Sequence, residues 1–311
     1  MGLLVKGKWY DKWYDTEAAN GQFIRKVSQF RSWVTKDGAP GPSGNGGFKA
    51  QPGRYHLYLS LACPWAHRTL IFRKLKGLED IISISIVHYL MGSKGWTFDE
   101  SEGTIPDING KSKYLYEVYL KSSSNYSGRV TVPVLWDKET NQIVSNESSE
   151  IIRMFNSAFN DVGAFKGDYY PIELREKIDD LNEKIYEAVN NGVYKAGFAT
   201  SQKAYEEAVI PLFKTLDELE TMLERRRFLV SDQITETDWR LFTTLIRFDA
   251  VYFGHFKCNI KRIAEYKNLS RYLKDLYEIP GVKETVNLDH IKKHYYMSHE
   301  SINPSRVVPL G

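Results

Sequence analysis

The sequence predicts two domains of different class, an α/β domain followed by an all-α domain. Three observations carry this reading. Residues 55–87 read as strand, helix, strand; residues 131–155 read as a hairpin that runs into a helix; and from Pro171 onward the apolar residues recur at helical spacing almost throughout. With 311 residues, 42% of them hydrophobic and 26% charged, the chain is long enough for two bodies that each bury a core.

Residues 1–36 carry Trp9, Tyr10, Trp13, Tyr14, Phe23, Phe30 and Trp33, too many large apolar side chains for a disordered tail, and are expected to pack on the body as an arm. Residues 37–53 are rich in glycine and proline and read as a linker. A phosphate-loop reading fails there, because no strand precedes the glycines and no Gly-Lys-Ser/Thr follows them. Tyr55 to Leu61 alternates and is β-prone. Pro64 to Lys76 reads as a helix, with Pro64 suited to its first turn and Gly77 to its stop. Ile81 to Val87 is apolar enough for a strand buried on both faces, which makes a parallel βαβ unit. Residues 92–128 are polar and punctuated, and read as an inserted segment. Thr131–Trp136 and Gln142–Ser145 form the hairpin, and a helix starts near Asn146. The order β-α-β-insert-β-β-α is that of a thioredoxin-like fold.

In the second half, Ile178, Leu181, Ile185, Ala188 and Val189 mark one helix face. Ala208, Leu212, Leu216, Leu219, Met222 and Leu223 mark another, with a kink expected at Pro211. Thr235 to Asp238 reads as a capping box, flanked by Ile234 and Trp239 as a hydrophobic staple, opening a helix to about Phe253; a further helix spans about Ser270–Leu276. The expected boundaries are an arm and linker at 1–53, a thioredoxin-like domain at 54–165 and an all-α domain with a C-terminal tail at 166–311.

A net charge of +3 with one compact basic run, Arg225 to Arg227, argues against a nucleic-acid partner. No apolar run reaches the roughly 18 residues of a membrane helix, so no membrane insertion is expected. The first residues lack a signal-peptide pattern, and the two cysteines, Cys63 and Cys258, form no C-x-x-C or metal-ligand spacing. The expected location is cytoplasmic and reducing. His290 and His294 stand at i,i+4, but no third ligand is evident and no metal is expected.

Cys63 is the centre of the chemistry. It follows a strand and precedes Pro64, which opens a helix, and the unpaired N–H groups and dipole of a helix start favour a thiolate. That position outweighs the plainer reading of a structural cysteine, which suits Cys258. The segment Cys63-Pro-Trp-Ala66 has alanine where a dithiol oxidoreductase has its second cysteine, so an external thiol must resolve any mixed disulfide, and glutathione is the abundant choice. Val132-Pro133, at the start of a strand, is either a cis-proline turn that presents the backbone of Val132 to a ligand or an edge-strand proline. Asn146-Glu147-Ser148-Ser149 opens a helix. Alone it is a good cap; beside Cys63 it suits the carboxylate and ammonium of a γ-glutamyl group.

The segments Leu61–Arg68, Arg129–Asp137 and Ile143–Glu150 closely resemble the glutathionyl-hydroquinone reductases, the Xi-class glutathione transferases. Gly21–Arg25, Gly192–Phe198, Lys293–Tyr296 and Ile302–Pro304 resemble them too, so the similarity runs along nearly the whole chain. The resemblance implies that the all-α part is a glutathione-transferase C-terminal domain and that the protein is a homodimeric enzyme. Its Cys63 would take glutathione from a glutathionyl-hydroquinone, and a second glutathione would restore the thiolate. It implies a glutathione site of Trp96, Arg129, Val130, Val132, Glu147 and Ser148, and a hydroquinone pocket lined by Tyr194, Tyr252 and Tyr296. Two other functions compete: an omega-like thioltransferase or dehydroascorbate reductase, against which the arm, the insert and the long tail argue, and a transferase-like interaction module, which would need no nucleophile.

Overall fold

The computed structural model describes residues 2–108 and 110–311; Met1 in the arm and Asn109 in the insert lie outside it. The chain divides into two units, Met1–Trp13 with Lys26–Gly167, and Tyr14–Arg25 with Asp168–Gly311. Residues 1–53 therefore form no body of their own: the arm is shared out between the two.

In the first unit, β1 (Leu3–Val5) and β2 (Lys8–Tyr10) form an antiparallel hairpin turned by Lys6 and Gly7, both at positive φ. β3 (Tyr55–Leu59) is buried at every residue, as befits a strand inside a sheet with both faces covered. α1 (Pro64–Leu75) follows, with Pro64 in its first turn. Gly77, at φ +60°, lies just beyond its C-terminal cap, and a Cβ there would fall 2.7 Å from the ring of Phe165. β4 (Ser83–Ile86) then pairs with β3 in parallel, His56 opposite Ser83.

The segment expected to be only an insert contains a helix, α2 (Leu115–Ser122), which buries Leu115, Val118 and Tyr119 at i, i+3, i+4. Two turns set among polar neighbours are too short to show a period. The clearest local sign is Glu117, whose carboxylate accepts the N–H of Tyr114 at 3.2 Å. The order of the sheet domain thus becomes β-α-β-α-β-β-α. β5 (Gly128–Arg129) pairs with β1, giving the small sheet the order β2-β1-β5. β6 (Val134–Asp137) and β7 (Gln142–Ser145) complete a main sheet of order β4-β3-β6-β7, and α3 (Ser148–Ser157) closes the unit. β6 begins later than Thr131, because the Val132–Pro133 peptide bond is cis and the chain turns there. Its far end is tied down by a buried bidentate pair: Arg54 Nε and Nη2 donate to Asp137 Oδ1 at 2.9 Å and Oδ2 at 2.6 Å.

The second unit is helical: α4 (Arg175–Ile185), α5 (Gly192–Gly197), α6 (Gln202–Met222), α7 (Glu236–Arg247), α8 (Lys267–Tyr277) and α9 (Leu288–Ser298). α6 continues through Pro211. The capping box opens α7 as expected, Asp238 accepting the N–H of Thr235 at 2.8 Å. α7 does not run on to Phe253; it ends at Arg247 and gives way to a π-helical turn, Phe248–Tyr252. Among the described residues no helix is long and apolar enough to cross a membrane.

Candidate active site

In the first unit the chain leaves β3 through Ser60, Leu61 and Ala62 and sets Cys63 at the N-cap of α1. Cys63 is half-buried and in no disulfide. Its Sγ lies 3.7 Å from the carbonyl oxygen of Val132, in the cis Val132–Pro133 turn. The strand-to-helix turn and the cis-proline turn thus meet at the sulfur, and the helix start favours negative charge on it. His67 and Arg68, one turn into α1, are buried, and the Arg68 guanidinium sits 4.6 Å from the Trp65 ring centroid. Cys258, in the second unit, is fully buried, and burial pushes its thiol up.

Glu147 is the N-cap of α3 and Ser148 its first residue. Glu147 Oε1 accepts from the N–H of Ser149 at 3.1 Å and its hydroxyl at 2.8 Å, and Oε2 accepts from Ser28 at 3.1 Å. Burial alone would raise the Glu147 carboxyl. The hydrogen bonds from Ser149 and Ser28, with the Arg31 charge, outweigh burial and hold it below the ordinary carboxylate range.

Sequence reasoning missed this support from the arm. Residues 28–32 run beside β7: Asn146 N–H donates to the Phe30 carbonyl at 3.1 Å, Ser32 N–H to the Val144 carbonyl at 3.0 Å, and Arg31 pairs with Glu150. It also missed Tyr119 on α2, whose hydroxyl donates to the Thr131 carbonyl at 2.8 Å and accepts from Asn146 Nδ2 at 3.2 Å, linking the proline turn to the start of α3. Neither contact has a local signal, since the partners are remote in sequence. Val130 and Val132 are buried, as is Trp96 at 4% exposure. Arg129 is turned to the arm, donating to the carbonyls of Lys12 and, at 2.9 Å, Trp13.

In the second unit, Tyr194 on α5, Tyr252 in the π-helical turn and Tyr295 on α9 form one hydroxyl cluster. Tyr295 stands 2.5 Å from Tyr194 and 3.0 Å from Tyr252. Of the expected pocket residues Tyr194, Tyr252 and Tyr296, the first two meet in this cluster; Tyr296 stands beside its third member, Tyr295, and donates to the Ala250 carbonyl at 3.4 Å. On a helix adjacent residues point about 100° apart, so only one of the pair can face the cluster. Burial pushes Tyr252 and Tyr295 far up, so both stay protonated donors. Phe198 and Phe256 pack around Tyr194. Gly197 allows their approach, because a Cβ there would fall 2.2 Å from the Phe256 ring. Phe23, from the arm segment, packs on Phe198 with ring centroids 5.3 Å apart. Among the described residues no three His, Cys, Asp or Glu side chains gather as a metal-binding group.

A thioredoxin-like unit with one cysteine at its helix start, joined to a helical unit, defines a glutathione transferase of the cysteine type. Family models described as glutathione S-transferase N-terminal domain and C-terminal domain match residues 62–158 and 202–275. The chain is 59% identical to glutathionyl-hydroquinone reductase YqjG of Escherichia coli (strain K12), over 100% of this chain and 95% of that protein. It is 55% identical to glutathionyl-hydroquinone reductase PcpF of Sphingobium chlorophenolicum, over 100% and 96%. The glutathione-bound structure of Escherichia coli YqjG superposes with a TM-score of 0.92 at 56% identity, over 99% of this chain and 95% of that one. The chain belongs to the glutathionyl-hydroquinone reductases of the glutathione S-transferase family.

Proposed function

We propose that this protein reduces glutathionyl-hydroquinones to hydroquinones at the expense of glutathione. The observation that carries the reading is the single half-buried Cys63, at a helix start and against the Val132 carbonyl, in a chain that belongs to these reductases.

The Cys63 thiolate attacks the glutathionyl sulfur. The Cys63–glutathione S–S bond forms, the aryl carbon–sulfur bond breaks, and the electron pair left on the ring carbon takes a proton, releasing the hydroquinone. The thiolate of a second glutathione attacks the mixed disulfide, restores the Cys63 thiolate and leaves as oxidised glutathione. The ring is reduced by two electrons, and the sulfurs of two glutathione molecules end oxidised as one disulfide. Trp96, Arg129, Val130, Val132, Glu147 and Ser148 hold glutathione: the Val132 backbone faces the peptide, Glu147 takes the ammonium and Ser148 a carboxylate. Tyr194, Tyr252 and Tyr295 hydrogen-bond the hydroquinone oxygens, and a phenol of this cluster supplies the proton to the ring carbon.

The need for reduced thiols supports a cytoplasmic location, and the family resemblance supports a homodimer, open to a direct mass measurement by light scattering. The decisive test mixes the protein with glutathione and glutathionyl-menadiol and follows hydroquinone and oxidised glutathione, with Cys63→Ser as control. Turnover lost in the variant supports the reading. No turnover, with activity on glutathionyl disulfides or dehydroascorbate, overturns it in favour of an omega-like thioltransferase.

A further inference from the structure

Arg25 has no part in the site described so far, yet its surroundings in the second unit are specific. Its Nε donates to Asn191 Oδ1 at 3.0 Å, and Asn191 is the N-cap of α5, the helix that carries Tyr194 three residues on. Its guanidinium carbon lies 5.1 Å from the centroid of the Tyr194 ring and 5.6 Å from that of Phe23. The cation is therefore fastened to the start of α5 and held over the face of the one tyrosine of the cluster that is only half-buried.

We propose that Arg25 is a positioning residue which, through the Tyr194 ring, makes Tyr194 the phenol that gives its proton to the departing hydroquinone. When a phenol loses its proton, charge spreads into the ring, and a cation over the ring face is attracted more strongly than before. Arg25 thereby favours the ionised product of the transfer, while the Tyr295 hydroxyl can donate to the oxygen left behind. The proton passes from Tyr194 Oη to the ring carbon that the glutathionyl sulfur leaves, and water reprotonates Tyr194 after release.

The other two phenols are poorer donors by their placement: Tyr252 and Tyr295 are fully buried, with burial pushing both far up. The ionisable groups set around Tyr194 are Arg25 from the arm, Tyr295 from α9, Tyr252 from the π-helical turn and Lys195 beside it on α5. Lys195 is paired with Glu187 at 2.6 Å. Arg247 on α7 acts on Tyr252 and Tyr295, and behind Phe256 and Tyr295 stand His255 and His299. Of the cations, Arg25 lies over the Tyr194 ring itself.

The inference rests on the tyrosine cluster's role in the proposed reduction, and its test reads ionisation apart from turnover. 3-Fluorotyrosine is placed at position 194 and its fluorine resonance is titrated in the otherwise native protein, in Arg25→Gln and in Arg25→Lys. The expected result is a titration midpoint about one pH unit higher in Arg25→Gln, with most of the shift recovered in Arg25→Lys. In the unlabelled proteins, kcat falls about five- to tenfold in Arg25→Gln with KM changed less than twofold, and the alkaline limb of its pH profile moves with the resonance. An unmoved midpoint in Arg25→Gln overturns the inference whatever happens to kcat. A midpoint that moves in a protein without activity on glutathionyl-hydroquinones leaves Arg25 acting on Tyr194 and overturns the proposed reaction instead.

Discussion

The Cys63 end of the first unit and the tyrosine cluster of the second are assembled in different ways. At Cys63 most of the parts are backbone features coded by a few adjacent residues: a helix start after a strand, a cis Val132–Pro133 bond, the cap of α3 at Glu147. At the cluster the parts are side-chain hydroxyls and rings from the arm, α5, the π-helical turn and α9, and no turn or cap signal announces their meeting, although three of these segments carry the family resemblance. A site made of chain turns declares itself in short motifs. A site made of rings meeting from four segments does not, and its membership depends on which face each helix presents.

The largest effect expected separates the two cysteines. Cys63→Ser lowers turnover of a glutathionyl-hydroquinone at least about 10³-fold and leaves the melting temperature nearly unchanged. Cys258→Ser does the reverse: it keeps activity but costs about 1–3 kcal/mol of stability, because a hydroxyl replaces a fully buried thiol. Product analysis and thermal unfolding of both variants check this. Next, Asp137→Ala strips the buried Arg54 of its bidentate partner and is expected to destabilise the protein by about 3–5 kcal/mol, read from denaturant unfolding. A loss below 1 kcal/mol would mean that the proline turn needs no anchor at the far end of β6.

The cluster is sharpened by comparing adjacent residues. Tyr295→Phe removes the hydroxyl shared by Tyr194 and Tyr252 and should lower kcat about 10²-fold, whereas Tyr296→Phe, which loses a 3.4 Å bond to the Ala250 carbonyl and one from the His255 backbone, both outside the cluster, should change it less than twofold. Equal effects would dissolve the distinction. The smallest effect is a pH dependence. His255 and His299 are buried against each other, Nε2 to Nδ1 at 3.1 Å, and burial takes His255 down to about 4 and His299 well below its ordinary value. Folded-state values below the unfolded one of about 6.5 mean that the unfolded chain takes up these protons first. Their contribution is complete above about pH 6.5 and is lost as the pH falls towards 4. Urea unfolding across that window should show the slope, and His255→Gln should reduce it.

Much of the first unit was legible in the sequence, because each element carries its own punctuation: Pro64 and Gly77 around α1, the burial pattern of β3, the turn at Asn141. α2 was hidden, since two turns among polar residues show no period. In the second unit the helical period and the Thr235–Asp238 box were plain. The break of α7 into a π-helical turn was not: the sequence stays apolar through Tyr252, and only the packed structure reveals where the ladder slips. Tyr194 and Tyr252 were reached through family resemblance. The sequence does not distinguish Tyr295 from Tyr296, because which of two adjacent tyrosines meets Tyr194 and Tyr252 depends on the inward face of α9. Ser28, Arg31 and Tyr119 left no trace at all, each acting across some 12 to 120 residues of chain.

The chain enters the second unit at Tyr14, leaves it at Arg25 and returns at Asp168. For a protein made from its N-terminus, this fixes an order of completion. The strip that carries Phe23 and Arg25 precedes Tyr194 by some 170 residues and Tyr295 by some 270. At about 5–20 residues per second, the strip waits on the order of ten to thirty seconds for its first partner. The Cys63 end can be folded long before the tyrosine cluster exists, and α9, which brings Tyr295, is the segment that closes it.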